Sequence, residues 1–267
     1  LIKAKKRFGQ NFLKDDLVKK KIIQSMPNDS KKVVEIGPGL GDLTKELLRA
    51  DKRVAAFEID LELCGYLQKN FKTEIERNRF ELICGDVLKS WENGSLLDEE
   101  YHLVANLPYY VATNIILRAL EDNKCESILV MIQKEVAEKF AAKCGDKNFS
   151  ALSILANSIS KARILFDVER DSFDPPPKVT SAVLKLEKFK EYIDESLFFD
   201  KKELEDFKFF LRVAFKQPRK ILLKNLQSLY EKDILLKQFE FLEIPLNARP
   251  HQLETLKYRL LFKNCGL

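Results

Sequence analysis

The sequence predicts an α/β domain followed by a small all-α domain, and three observations carry that expectation. Short β-branched runs alternate with helical patterns up to about residue 187. From about residue 190 only helical periodicity remains. The first strand breaks into Gly37-Pro38-Gly39-Leu40-Gly41 at the head of a helix, where glycines let the backbone turn sharply and approach a ligand. The expected domains are residues 1–190 and 191–267.

The opening Lys5-Lys6-Arg7-Phe8-Gly9-Gln10-Asn11-Phe12-Leu13 mixes cations and aromatics ahead of a helix from Asp15 or Asp16 to Ser25. Phe8 and Phe12 read as packing anchors in a segment placed to lid a site. After the glycine turn comes helix 42–50, then strand 53–60. The spacing Gly-x-Gly-x-Gly differs from the Gly-x-Gly-x-x-Gly that seats a pyrophosphate, so the expected ligand has an adenosine but no diphosphate. Glu58 closes the second strand, where an acid accepts hydrogen bonds from both ribose hydroxyls. Helix 61–71 leads to strand 80–84 and Gly85-Asp86, a second acid able to accept from the exocyclic amine of an adenine.

Strand 101–105 runs into Asn106-Leu107-Pro108-Tyr109, a rare strand ending. Asn106 supplies a side-chain carbonyl, Pro108 restrains the backbone so that a main-chain carbonyl turns inward, and Tyr109 supplies a flat face. Helix 111–121, strand 127–133, helices 134–143 and 150–160, strand 162–168 and strand 181–187 continue the alternation. Phe173 enters the stiff loop Asp174-Pro175-Pro176-Pro177, either covering the second face of a planar substrate or plugging the end of the sheet. Helices 201–216, 219–231, 233–241 and 250–263 complete the chain.

Charge is unevenly placed. Residues 1–32 hold ten Lys/Arg against three Asp, whereas the rest of the chain is slightly acidic. A second run, Lys208, Arg212, Lys216, Arg219, Lys220 and Lys224, contains no acid, and its first three members share one helical spacing. Two basic surfaces on a near-neutral body fit a polyanion, and Lys5, Lys6, Arg7, Lys208, Arg212, Lys216, Arg219 and Lys220 are the candidate polyanion contacts. The five cysteines show no paired spacing, so free thiols in a reducing cytoplasm are expected. Two isolated histidines give no metal cluster, and no metal is expected. No apolar run reaches the length of a membrane span.

An adenosine ligand without diphosphate, beside a clamp for an amine, points to S-adenosylmethionine and methyl transfer to that amine. Accepting hydrogen bonds from both amine protons, at Asn106 and the Pro108 carbonyl, localises the nitrogen lone pair; alignment with the methyl group then supplies the rate. A nucleic-acid base reaches such a clamp only out of its stack, and aromatic stacking on Tyr109, with Phe173 opposite, offsets the cost of extrusion.

These stretches, with Gln133-Lys134-Glu135-Val136-Ala137 and Arg249-Pro250-x-Gln252-Leu253, resemble the small-subunit ribosomal RNA adenine dimethyltransferases along nearly the whole chain. The resemblance implies a class I S-adenosylmethionine-dependent methyltransferase fold, a Rossmann-like seven-stranded sheet with its last strand antiparallel. It implies dimethylation at N6 of two adjacent adenines near the 3′ end of small-subunit rRNA, within an immature 30S particle, by a monomer. It places Asn11, Leu13, Gly37, Gly39, Glu58, Asp86 and Asn106 around the cofactor, with Asn106, Pro108, Tyr109 and Phe173 around the reacting base. Pro218 and Ala151 depart from the family pattern, where basic residues often stand. Rival readings are methylation of DNA adenine or a protein glutamine amide, and an RNA-binding assembly factor without transfer. The glycine spacing argues against a dehydrogenase.

Overall fold

The structure, a computed structural model, describes residues 4–5, 8–189 and 201–266. The first elements are β1 (Phe12–Leu13), α1 (Asp16–Gln24), β2 (Lys32–Ile36), α2 (Asp42–Arg49), β3 (Val54–Glu58), α3 (Leu61–Asn70) and α4 (Lys72–Glu76). They continue with β4 (Phe80–Cys84), α5 (Val87–Ser90), β5 (Tyr101–Asn106), α6 (Ala112–Glu121), β6 (Cys125–Gln133), α7 (Lys134–Ala141) and α8 (Ala151–Ile159). Then follow β7 (Ser160–Val168), β8 (Phe173–Asp174), β9 (Ser181–Lys188), α9 (Lys201–Ala214), α10 (Leu222–Leu226), α11 (Lys232–Phe241) and α12 (Thr255–Cys265).

Seven strands form one sheet in the order β4-β3-β2-β5-β6-β9-β7. The pairs β4–β3, β3–β2, β2–β5 and β5–β6 are parallel, and β6–β9 is antiparallel. Parallel strands need their crossovers on the faces, and so β2, β3 and β5 are buried on both sides and read as continuous apolar runs. The chain builds outward from β2 to β4, then returns to place β5 on the other side of β2. That reversal makes a topological switch point, and a crevice opens beyond the carboxyl ends of β2 and β5. Short acids start the helices around it. Asp15 accepts from the N–H groups of Leu17 and Val18, Asp60 from Glu62, and Asp86 from Leu88.

Residues 1–137 with 163–187 form one compact unit, and 138–162 with 188–267 form a second. The segment 138–162, expected with the sheet, groups with the tail. The reason lies in α8, Ala-Leu-Ser-Ile-Leu-Ala-Asn-Ser-Ile, which is apolar on nearly every side and packs on α9 and α12. In the second unit Phe207 and Phe262 meet edge-on at 5.2 Å, and Phe210 meets Tyr258 at 6.3 Å. Asn225 donates to the carbonyls of Ala214 and Gln217, satisfying the end of α9. That helix stops at Ala214 rather than 216, and the expected helix over 219–231 shrinks to α10.

Two cysteines depart from the expectation of free thiols. Cys64 of α3 and Cys84 of β4 are joined as a disulfide, with Cα atoms 6.2 Å apart. Cys125, Cys144 and Cys265 are free. No helix among the described residues is long and apolar enough to cross a membrane.

Candidate active site

The amino-terminal segment closes one side of the crevice. Phe12 pairs with Asp174 and Leu13 with Phe173, antiparallel, and the Lys14 N–H donates to the Ser172 carbonyl at 2.9 Å. Lys5 Nζ lies 2.8 Å from Asp60 Oδ1 and 2.7 Å from Glu62 Oε2, while Gln10 Nε2 donates to Asp60 Oδ2 at 3.2 Å. Lys5, expected on RNA, instead spends its charge holding this segment to the start of α3. Lys6 and Arg7 lie outside the described residues.

Beneath the segment is a cleft of about 230 Å³. Asn11, Leu13, Gly37, Gly39, Glu58, Asp86, Asn106, Pro108 and Tyr109 all line it, so nine of the expected residues converge on one cavity. The glycine turn is shaped for close approach: Gly39 sits at φ +60°, and a Cβ there would come within 2.9 Å of the Phe12 ring. Glu58 is 4% exposed; its two carboxylate oxygens accept the N–H of Asp60 at 2.9 Å and of Gly39 at 3.2 Å. A carboxylate has about four acceptor positions, so capacity remains for a donor in the cleft. Burial pushes the Glu58 carboxyl above its ordinary range, against the N–H donors of Asp60, Gly39 and Ile59. Asp86 spends Oδ1 on the Leu88 N–H at 3.0 Å.

Asn106 ends β5, and its Nδ2 donates to the Asn11 main-chain oxygen at 2.9 Å. With the amide nitrogen so engaged, the group that Asn106 offers an incoming amine is its carbonyl oxygen. Tyr109 is anchored by its hydroxyl, 2.6 Å from Ser181 Oγ, leaving the ring as part of the cleft wall. The Pro108 carbonyl, expected to face the amine, already accepts the Val111 N–H at 3.2 Å, so only its second lone pair is left. Phe173 departs from the covering role: its side chain is 0% exposed and belongs to the apolar core with Leu13 and Val183. The other expectation for it, a plug at the sheet end, describes what the structure contains.

Among the cleft residues that were not foreseen, three stand out. Tyr110 is exposed at the mouth and packs against Gly9; Ile59 follows Glu58; and Glu35, wholly buried, accepts from Thr44 Oγ1 at 2.6 Å. Burial, assisted by Glu58 and Asp42, pushes the Glu35 carboxyl up to about 8 against that hydrogen bond. An acid two residues before the glycine turn and a second aromatic after Asn-Leu-Pro-Tyr were visible signals.

In the second unit Arg212, Lys216, Arg219 and Lys220 are exposed, and Arg212 lies over the Phe209 ring at 5.4 Å. Lys208 is paired with Glu205 at 2.7 Å, a neighbour just outside the acid-free run. Lys216 falls beyond the end of α9, so the expected single face is a helix surface continued by a turn.

The residues present fit S-adenosylmethionine: a buried acid with acceptor capacity, a glycine turn lining the cleft, and a second acid at the adjoining strand end. This sheet order and this cleft define a class I S-adenosylmethionine-dependent methyltransferase. The ribosomal RNA adenine dimethylase family model matches residues 1–263, and the chain belongs to that family. Ribosomal RNA small subunit methyltransferase A of Sulfurimonas denitrificans is 52% identical, covering 98% of this chain and 94% of that protein. The Aliarcobacter butzleri protein of the same name is 51% identical, with 98% and 96% covered. Among solved structures, a dimethyladenosine transferase from Plasmodium falciparum is 26% identical with a TM-score of 0.78, covering 96% of this chain and 98% of that one. The 23S rRNA methyltransferase ErmE, 24% identical with a TM-score of 0.72 and coverage of 96% and 99%, shares the fold.

Proposed function

We propose that this enzyme dimethylates N6 of two adjacent adenines near the 3′ end of small-subunit (16S) rRNA, acting as a cytoplasmic monomer on an immature 30S particle. Family membership and the curated relatives' names support the reaction and the rRNA class of substrate. The observation that carries the chemistry is the 2.9 Å hydrogen bond from Asn106 Nδ2 to Asn11, because it decides which end of the amide an amine meets.

When bound, S-adenosylmethionine supplies an electrophilic methyl group on a sulfonium. Gly37 and Gly39 let the β2–α2 turn lie against the ligand, Glu58 accepts from the ribose hydroxyls, and the second oxygen of Asp86 accepts from the adenine amine. Asn11 and Leu13 close the opposite side. Asn106 Oδ1 and the remaining lone pair of the Pro108 carbonyl accept the two protons of the target N6. That pairing draws the nitrogen away from planarity and holds its lone pair toward the methyl group. The Tyr109 ring, fixed through Ser181, stacks on the extruded base and returns roughly 1–3 kcal/mol. No strong base is required, since a methylated N6 is acidic enough to lose its proton to water. Arg212, Lys216, Arg219 and Lys220 contact RNA phosphates; Lys6 and Arg7 extend that role at the amino terminus.

Incubation with labelled S-adenosylmethionine and either immature 30S particles or duplex DNA tests the reading. Dimethyladenine in the 16S rRNA and none in DNA is expected; label in DNA alone would overturn it.

A further inference from the structure

We propose that Cys64 and Cys84 form a reversible oxidation site, a thiol pair that hydrogen peroxide closes and a dithiol reopens, set just behind the lining of the cofactor cleft, next in sequence to Leu63 and Gly85, which line it. The pair is built from placement. Cys84 ends β4 as the register partner of Glu58 and is followed directly by Gly85-Asp86. Cys64 stands in the first turn of α3, where its Sγ lies 3.5 Å from the Glu58 carbonyl oxygen and its N–H donates to the Asp60 carbonyl at 2.9 Å. The Cα separation of 6.2 Å lies within the span that a disulfide bridges. The two members differ in access: Cys84 is exposed, Cys64 is 3% exposed. An accessible thiol thus faces the solvent while a protected one waits behind it. The remaining thiols are less suited to the reaction. Cys125 is buried, and burial pushes the Cys144 thiol up and the Cys265 thiol up to about 11, disfavouring the reactive thiolate.

The reaction balances with peroxide as oxidant. The Cys84 thiolate attacks one peroxide oxygen, the O–O bond breaks, and the leaving hydroxide takes a proton to depart as water. Cys64 sulfur then attacks the resulting sulfenic acid, the S–S bond forms, the S–O bond breaks, and a second water leaves. Two thiols lose two electrons and two protons, and one hydrogen peroxide becomes two waters. A dithiol reverses the bond by exchange.

The bond ties α3 to the strand end that carries Asp86 and backs Glu58, two residues that the proposed function places on the cofactor; this consequence rests on that reading. With the bond closed the wall is held ready; with it open the wall must be ordered on binding, which lowers affinity.

The test uses the full chain treated with hydrogen peroxide or with dithiothreitol, desalted, denatured in guanidinium and titrated for thiols. Three thiols after peroxide and five after dithiothreitol are expected from the five cysteines present. The Cys84→Ser variant, altered at an exposed position, should give four after either treatment. Five thiols in the peroxide-treated native chain, or loss of two from the variant, would overturn the pairing. Calorimetric titration with S-adenosylhomocysteine should show affinity about threefold or more weaker in the reduced form; equal affinities would overturn the coupling to the cleft. A chain that binds no S-adenosylhomocysteine in either state, yet counts three and five, would refute the proposed function and uphold the thiol pair.

Discussion

The side chain of Asn106 donates to the main-chain oxygen of Asn11, 2.9 Å away across 95 residues of sequence. One contact therefore joins the clamp at the end of β5 to the segment that roofs the cleft, and sets the orientation of the amide. Asn106→Ala should lower kcat about 10²-fold or more, the cost of removing one preorganised group at the reacting centre. Binding of RNA should persist. Single-turnover methylation and filter binding check the two halves; full residual activity would refute the clamp.

Leu107 is 1% exposed, and its N–H donates to the Met131 carbonyl at 3.1 Å. Leu107→Pro deletes that donor and stiffens the loop where a monomethylated base must re-enter. The expected outcome is a loss of about 1–3 kcal/mol in stability and product shifted from dimethyl- to monomethyladenine. Denaturant titration and mass spectrometry of digested rRNA measure both; an unchanged product ratio would reject the re-entry argument.

Asp60 binds Lys5 and Gln10, and although burial opposes it, these partners hold its carboxyl below the ordinary range. Asp60→Ala should release the roof and weaken S-adenosylhomocysteine binding about tenfold, with kcat at saturating cofactor little changed. Calorimetry with parallel kinetics reads the split.

Glu35 carries a pH signature. Its carboxyl is raised by burial from an ordinary 4.5 to about 8, so across that window the folded chain keeps a proton that the unfolded chain has released. Its contribution is therefore fully present below 4.5, declines as pH rises, and levels off above about 8. Glu35→Gln should flatten this dependence and gain stability on the order of 4 kcal/mol relative to wild type on the alkaline side. Thermal melts at about pH 5 and about pH 9 supply the check; parallel curves for the two proteins would remove Glu35 as the source.

Arg212 and Lys216 are exposed on the second unit. Replacing both by Glu should weaken RNA binding and make the plot of log affinity against log salt shallower by roughly 1 to 2. An unaltered slope would show that this surface is merely solvated.

The sequence exposed what local chemistry controls. The glycine turn, Glu58 at its strand end, Asp86 and the Asn-Leu-Pro-Tyr ending all announced themselves, because each is a short run whose backbone demands are visible in its own residues. What it hid depends on distant partners. For Phe173 the sequence left stacking and plugging both open, because nothing nearby reveals that Leu13, some 160 residues earlier, pairs beside it while the ring lies in the core. Lys5 looked like an RNA cation until the fold put Asp60 within 2.8 Å. Cys64 and Cys84 have a spacing of 20 that carries no signature; the parallel register sets Cys84 beside Glu58, and the first turn of α3 brings Cys64 to the same place. Likewise the grouping of α8 with the tail follows from which apolar surfaces meet, and periodicity alone names no partner.

The strand β9 lies between β6 and β7, and among the described residues β1 pairs with β8. A ribosome making this chain must therefore deliver residue 174 before the first strand has anything to pair with, and residue 188 before the far edge of the large sheet can close. At about 5–20 residues per second, the nascent amino terminus waits for many seconds as an unpaired basic arm. An rRNA methyltransferase thus emerges from its own ribosome with the cleft still roofless, and the roof settles only after most of its translation is done.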